Sequence, residues 1–230
     1  MAKKIWLVGI GMGNRDTLTI GAWNILKNCD CLIGAQRMLD AFPELTCRRF
    51  TATAPEKIAA FLQEHPEFQT IGVVFSGDVG FYSGAKKLRS LFPEHLIEEC
   101  CGISTVAYLC AKLHTPWEDV RLVSAHGQAC NLAGEVRTHE KVFVLAGKAS
   151  AQDLCKELCR AGLGGVTVSV GERLSYPEEA ITTGPAERLS GQTFDPLSAL
   201  LIQNPAPLSN DTLAFGLPDE RFIRGNTPMT

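Results

Sequence analysis

Several classes of protein are excluded by what this sequence lacks. No apolar run approaches the roughly eighteen residues that a membrane-spanning helix needs, and the opening stretch MAKKIWLVGIGMG meets glycines after one strand's worth of apolar residues. The chain therefore reads as untargeted and cytoplasmic, with no membrane partner. Charge of one sign is also missing: the formal net charge is −3, too little to announce a nucleic-acid partner. There is no low-complexity segment and no internal repeat.

Cysteine is present but in no metal-binding arrangement. The nine cysteines include no C-x-x-C pair; the close ones are CDC (Cys29, Cys31), CC (Cys100, Cys101) and CKELC (Cys155, Cys159). A zinc site needs other spacings, so no metal is expected, and most of these thiols lie in apolar runs where cysteine acts as a small reduced hydrophobe. No Ser-His-Asp or Cys-His arrangement stands out either, which argues against covalent nucleophilic catalysis.

What is present is an α/β rhythm. KIWLVGI, CDCLIG, QTIGVVFS and HLIEEC read as strands, alternating with helices at Leu18–Asn28, Gln36–Ala41, from Ser83 onward and at Ser104–Leu113. Thr53–Glu56 (TAPE) reads as a capping box opening a helix through Ile58, Phe61 and Leu62. This order predicts a mostly parallel sheet covered on both faces. LHTPWEDV breaks the pattern at Pro116, which sets a boundary between a domain at 1–114 and a second at 115–230. The second half restarts with RLVSAHG, KVFVLAG, a helix near Gln152–Ala161, GGVTVSVGERLS, EEAITTG and LSALLIQN, and predicts a mixed sheet.

Three glycine-bearing strand ends fall in the first half, and the crevice beyond strand carboxyl ends is where open α/β sheets bind ligands. VGIGMGN places Asn14 where a dinucleotide fingerprint requires its third glycine, which counts against a nicotinamide oxidoreductase. SGDVGFYS carries Asp78 between Gly77 and Gly80, glycines that let backbone approach a ligand. CGIST puts Ser104 and Thr105 at a helix start, where one hydroxyl caps and free N–H groups face an anion.

In order, VGIGMGNRDTLT, SGDVGFYS, CGIST, SAHG and GERLSYPEEAITTG resemble the tetrapyrrole methylases across essentially the whole chain. The closing stretch FGLPDERFIRGNTPMT is similar to the branch that methylates carbon 5 of the corrin macrocycle, acting on precorrin-6Y or cobalt-precorrin-7. Two prolines common in the family's first and second loops are replaced here by Met12 and Val79. The resemblance implies two α/β domains with S-adenosylmethionine (SAM) in the cleft between them, leaving as S-adenosylhomocysteine. It implies cofactor contacts from Met12, Gly77, Asp78, Val79, Phe81, Ser104, Thr105, Ala146, Leu174 and Ala199.

Methyl transfer from an activated sulfonium needs alignment more than a catalytic group. His126 in SAHG is the candidate for moving a proton, and Arg48, Arg49, Lys86 and Lys87 are candidates for the substrate's carboxylates. A homo-oligomer is expected, as is a separate or fused carbon-15 methyltransferase and decarboxylase. The rival readings are a nicotinamide-dependent oxidoreductase and a non-catalytic ligand-binding module of the same fold.

Overall fold

A computed structural model describes residues 3–93, 96–125, 130–147 and 149–208. The first half builds a sheet from β1 (Lys4–Gly9), β2 (Cys31–Gly34), β3 (Arg48–Thr51), β4 (Thr70–Phe75) and β5 (Ile97–Cys100), in the spatial order β3-β2-β4-β1-β5. Every pairing is parallel. Between them run α1 (Ile20–Leu26), α2 (Gln36–Asp40), α3 (Pro55–Glu64) and α4 (Ala85–Arg89).

Side-chain alternation along the strands splits the core into two layers, because successive residues of a strand point to opposite faces. Ile5, Leu7, Ile33, Ile71 and Val73 pack under Ile58, Phe61 and Leu62 of α3 and Leu88 of α4. Val8, Leu32 and Val74 pack on the other face with Ala22 and Leu26 of α1 and Leu39 of α2. Both faces are covered, which is why these strands read as continuous apolar runs.

α5 (Thr105–Lys112) leads out of the first sheet, and the second follows: β6 (Arg121–Ser124), α6 (Leu132–Thr138), β7 (Lys141–Leu145), α7 (Ala151–Arg160), β8 (Thr167–Glu172), β9 (Ala180–Pro185), α8 (Ala186–Leu189) and β10 (Ser198–Gln203). Its order is β6-β7-β10-β8-β9, with only the β6–β7 pairing parallel. The mixed character expected from the sequence is present. α7 begins with a complete capping box, Ser150 with Asp153, and buries Leu154, Cys155 and Leu158 at helical spacing.

The two faces of the second sheet are covered by different parts of the chain. Val142, Val144, Val168, Val170, Leu200 and Ile202 pack on α6 to α8. Phe143, Ala199 and Leu201 meet Val106, Leu109 and Cys110 of α5, which belongs to the first half. Each large side chain buried there stabilises by about 1.5–3 kcal/mol, so this junction is an apolar core rather than a loose hinge.

Two local expectations are corrected, and one strand was not expected. No capping box forms at Thr53–Glu56: the cap is Ala54, without a side-chain hydrogen bond, and Pro55 opens α3, bringing no N–H that needs a partner. The helix expected from Ser83 starts after Gly84 instead; the Ser83 hydroxyl bonds the Val79 carbonyl and accepts from Ala85 N at 3.3 Å. β3 was absent from the sequence reading because its RRFT carries two arginines, as an edge strand tolerates and a central one does not.

Candidate functional site at the junction of the two sheets

The carboxyl ends of β1, β4 and β5 converge backbone against backbone. Gly77 and Gly11 exchange two hydrogen bonds, Gly77 N to Gly11 O at 2.6 Å and the reverse at 3.1 Å. Gly102 lies so close that a Cβ placed on it would stand 2.2 Å from Gly77 O. A Cβ on Gly9 would stand 2.7 Å from both Gly102 N and Gly77 O. These glycines are there because three chains meet where no side chain fits.

Asp78 ties the same loops together. Its Oδ1 accepts from Gly80 N at 2.8 Å and its Oδ2 from Gly102 N at 2.9 Å, so both carboxylate oxygens are taken by backbone. The glycine loop after β1 turns into a short 3-10 segment at Arg15–Thr17, with Met12 N donating to Thr17 Oγ1, and α1 begins only after the Thr19 cap. The loop therefore does not run straight into a helix N-terminus, the arrangement that cradles a dinucleotide pyrophosphate. Asn14 caps the 3-10 turn and donates from Nδ2 to Ser175 O at 2.8 Å across the junction.

Above these loops lies a cavity of about 310 Å³ walled by both halves. Met12, Gly77, Phe81 and Thr105 come from the first half, and Ala146, Leu174 and Ala199 from the second. These are seven of the ten cofactor residues expected from the sequence. The other three do not line it: Asp78 is in the loop clamp, Val79 in the first core, and Ser104 caps α5 by accepting from Ala107 N at 3.4 Å. His126 lies outside the described residues. Arg48, Arg49, Lys86 and Lys87 line no part of this cavity; Arg49 is spent on the carbonyls of Phe42 and Leu45, and Lys87 pairs with Glu56.

The wall residues that were not foreseen include Ser198, Arg37, Tyr82 and Tyr176. Among the described residues, Ser198 Oγ is the buried side-chain oxygen without a hydrogen-bond partner. Tyr176 sits on the loop between β8 and β9, which reaches back over the first half. Arg173 and Ser175 there have left-handed backbone, φ 43° and 73°, a conformation that costs non-glycine residues about 1–3 kcal/mol each. Bonds to the first half offset it. Ser175 meets Asn14, and Glu179 accepts from Tyr108 OH at 2.7 Å, from Ser175 N at 2.6 Å and from Lys112 Nζ at 2.7 Å. Burial opposes the charge on Glu179, but these three donors outweigh it and hold its pKa below the ordinary value. Burial, and then Glu179 itself, pushes the Tyr108 hydroxyl up.

Burial works against reactivity in the buried thiols. Burial pushes Cys29 and Cys31 up to about 12 and Cys155 to about 11. Among the described residues no cluster of three or more His, Cys, Asp or Glu side chains could hold a metal ion, and no helix is long and apolar enough to cross a membrane.

The family model of the tetrapyrrole (corrin/porphyrin) methylases matches residues 4–190. The chain belongs to that family. Among curated relatives, this methylase is 28% identical over 207 residues to a probable cobalt-precorrin-7 C(5)-methyltransferase of Methanocaldococcus jannaschii, covering 86% of this chain and 97% of the relative. A probable cobalt-factor III C(17)-methyltransferase of Methanothermobacter thermautotrophicus is 28% identical over 128 residues, 52% of this chain and 36% of the relative. Among solved structures, the precorrin-6Y methylase of Archaeoglobus fulgidus superposes with a TM-score of 0.67 at 21% identity, over 87% of this chain and 97% of that one. The uroporphyrin-III C-methyltransferase of Thermus thermophilus, solved with S-adenosylhomocysteine, gives 0.73 at 18% identity, over 87% and 92%. The two-sheet fold of the methylase is the fold of these neighbours.

Proposed function

We propose that this methylase transfers a methyl group from SAM to carbon 5 of a corrin-pathway tetrapyrrole of the precorrin-6Y or cobalt-precorrin-7 type. The observation that carries the position of methylation is the likeness to the Methanocaldococcus jannaschii protein, which runs over almost the whole of that relative. The nicotinamide reading has against it the interrupted path from glycine loop to α1 and the absence of the third glycine.

The cavity suits a compact, folded cofactor. Met12, Phe81, Leu174 and Ala199 form an apolar slot of the kind an adenine ring needs. Thr105 at the start of α5 brings a hydroxyl beside free N–H groups for a carboxylate, and the partnerless Ser198 Oγ supplies a second hydroxyl for a ribose or carboxylate oxygen. We assign cofactor contact to these residues with Gly77 and Ala146, while Asp78, Val79 and Ser104 shape the loops that present them. SAM supplies a methyl group already activated by sulfonium charge. The chain's own part is to hold donor and acceptor in line and to exclude water, which accounts for walls poor in acid and base.

We further place the boundary between the two units at residues 114 and 115. The chain alone adds one methyl group, as a homo-oligomer in the cytoplasm, and leaves carbon 15 to a separate or fused enzyme. Calorimetry is expected to show micromolar binding of S-adenosylhomocysteine and none of NAD. Incubation with the precorrin or cobalt-precorrin and labelled SAM is expected to give a single new methyl group at carbon 5 by carbon-13 spectroscopy. A doubly methylated, decarboxylated product, or heats with NAD equal to those with S-adenosylhomocysteine, would overturn the proposal.

A further inference from the structure

Beside the cofactor cavity lies a second one, of about 330 Å³, at the carboxyl ends of β2 and β4. The two share Ser76 and Tyr82, and α2 stands between them: Ala35 and Met38 line the second cavity while Arg37 lines the first. Among the described residues Arg37 is the one charged side chain on the wall of either cavity. The acid nearest in its own helix, Asp40, takes the Gln36 amide at 2.7 Å. No described carboxylate lies within ion-pair distance of Arg37, whereas Arg15, Arg89 and Arg121 each have one and Arg173 has two. Its Nη1 donates instead to Tyr176 OH at 3.0 Å.

We propose that Arg37, oriented by Tyr176, is the anchor for a side-chain carboxylate of the methyl acceptor, and that it sets which edge of the macrocycle faces the cofactor. This rests on the proposed function insofar as the acceptor is a polycarboxylate tetrapyrrole. The chemistry is that of the guanidinium fork. Of five N–H donors one is used by Tyr176, which fixes the plane of the group and leaves donors for a two-pronged bond to a carboxylate. Among the described residues the walls are otherwise uncharged, which gives a negatively charged ring substituent one place to go. The anchor is assembled from both halves, since Arg37 comes from α2 and Tyr176 from the loop that Asn14 and Glu179 fasten. An acceptor held at one carboxylate beside the cofactor pivots about that point, and the carbon reached by the methyl group is set by its distance from the substituent.

The test uses uroporphyrin III, an octacarboxylic tetrapyrrole, titrated by fluorescence into the full chain saturated with S-adenosylhomocysteine. Arg37→Met is expected to weaken uroporphyrin binding roughly tenfold, the loss that goes with one charge-assisted pair, while S-adenosylhomocysteine affinity stays within about twofold. Arg37→Lys is expected to restore part of the loss. Tyr176→Phe is expected to weaken porphyrin binding roughly threefold with cofactor affinity and melting temperature unchanged, which separates orientation of Arg37 from support of the loop. Unchanged porphyrin affinity in Arg37→Met overturns the proposal. So does a parallel fall in S-adenosylhomocysteine affinity, which would give Arg37 to the cofactor. The carbon-5 assignment is read separately, from the product of the wild-type chain. A wild type that fails to methylate carbon 5, together with an Arg37→Met chain that loses porphyrin affinity, would remove the proposed function and keep the anchor.

Discussion

The two sheets face one cavity and contribute to it in opposite ways. The parallel sheet of the first half brings glycine-bearing strand ends whose backbones touch one another, with Asp78 holding them by two backbone N–H groups. The mixed sheet of the second half brings side chains, Leu174 and Ala199 from the sheet and its loop and Ala146 just past β7. Parallel strands all end on the same edge, so their loops gather there and can be shaped by backbone alone. In the second sheet β10 runs antiparallel to both β7 and β8, so the ends of β7 and β8 and the start of β10 share one edge, and there side chains rather than packed backbones line the cavity. One half is thus a rigid backbone cradle, and the other an apolar wall.

If that contrast is right, an added methyl group must hurt the cradle far more than the wall. Gly102→Ala puts a carbon 2.2 Å from the Gly77 carbonyl, which only a backbone shift can relieve. The expected cost is about 3 kcal/mol or more in urea unfolding, with loss of S-adenosylhomocysteine binding. Gly171→Ala on β8 meets Leu174 Cδ2 at 2.8 Å and Leu109 Cδ1 at 2.9 Å, side-chain ends that can rotate away. Its cost is expected at about 1 kcal/mol. Equal losses would mean that the wall is as rigid as the cradle.

Asp78→Ala removes the clamp without adding bulk. Two backbone N–H groups lose a charged acceptor, and the chain is expected to lose about 2 kcal/mol of stability, with S-adenosylhomocysteine affinity falling less than tenfold. A variant of unchanged stability that no longer binds the cofactor would show instead that Asp78 touches it.

The halves are also fastened to each other at Glu179. Its pKa is lowered in the folded chain, so its contribution is full above the ordinary value of 4.5 and is lost as the pH falls through the lowered one. Glu179→Gln is expected to cost about 1 kcal/mol at pH 7, through the weakened bonds from Tyr108 and Ser175. Wild type and variant should draw together in stability as the pH falls below 4.5 and through the lowered pKa. A difference that does not shrink as the pH falls below 4.5 and through the lowered pKa would show that the charge is irrelevant and that only the shape of the side chain matters.

The cradle could be read from the sequence because its signals are local. Glycines that close a β-branched run mark a strand end wherever it lies in space, and Met12, Gly77, Phe81 and Thr105 all sit on such ends. Ala146, Leu174 and Ala199 carry no local signal and, like the contacts of Met12 and Phe81, entered through the family resemblance. Asp78 shows the limit of the local reading: an acid between glycines marks a special loop, but whether its oxygens face a ligand or a neighbouring backbone depends on Gly102, 24 residues away. Arg37 and Tyr176 were invisible for the same reason. Their meeting spans 139 residues, and neither lies in a pattern that sets it apart from a surface arginine and a loop tyrosine.

The smallest expected effect asks whether the wall is wholly apolar. Ser198 opens β10, lines the cavity, and its Oγ is buried without a partner among the described residues. A hydroxyl so placed is worth nothing to the apo fold, since removing it deletes an unsatisfied group; Ser198→Ala is expected to change stability by less than about 0.5 kcal/mol, if anything upward. If the hydroxyl meets the cofactor, its removal should weaken S-adenosylhomocysteine binding about three- to tenfold, the worth of one neutral hydrogen bond. Thr105→Val provides the matching change in the cradle, where the backbone N–H groups of α5 remain after the hydroxyl is gone, so its loss is expected to be smaller than that of Ser198→Ala. Cofactor affinity untouched by Ser198→Ala would leave the second half a purely apolar wall and take Ser198 out of the site.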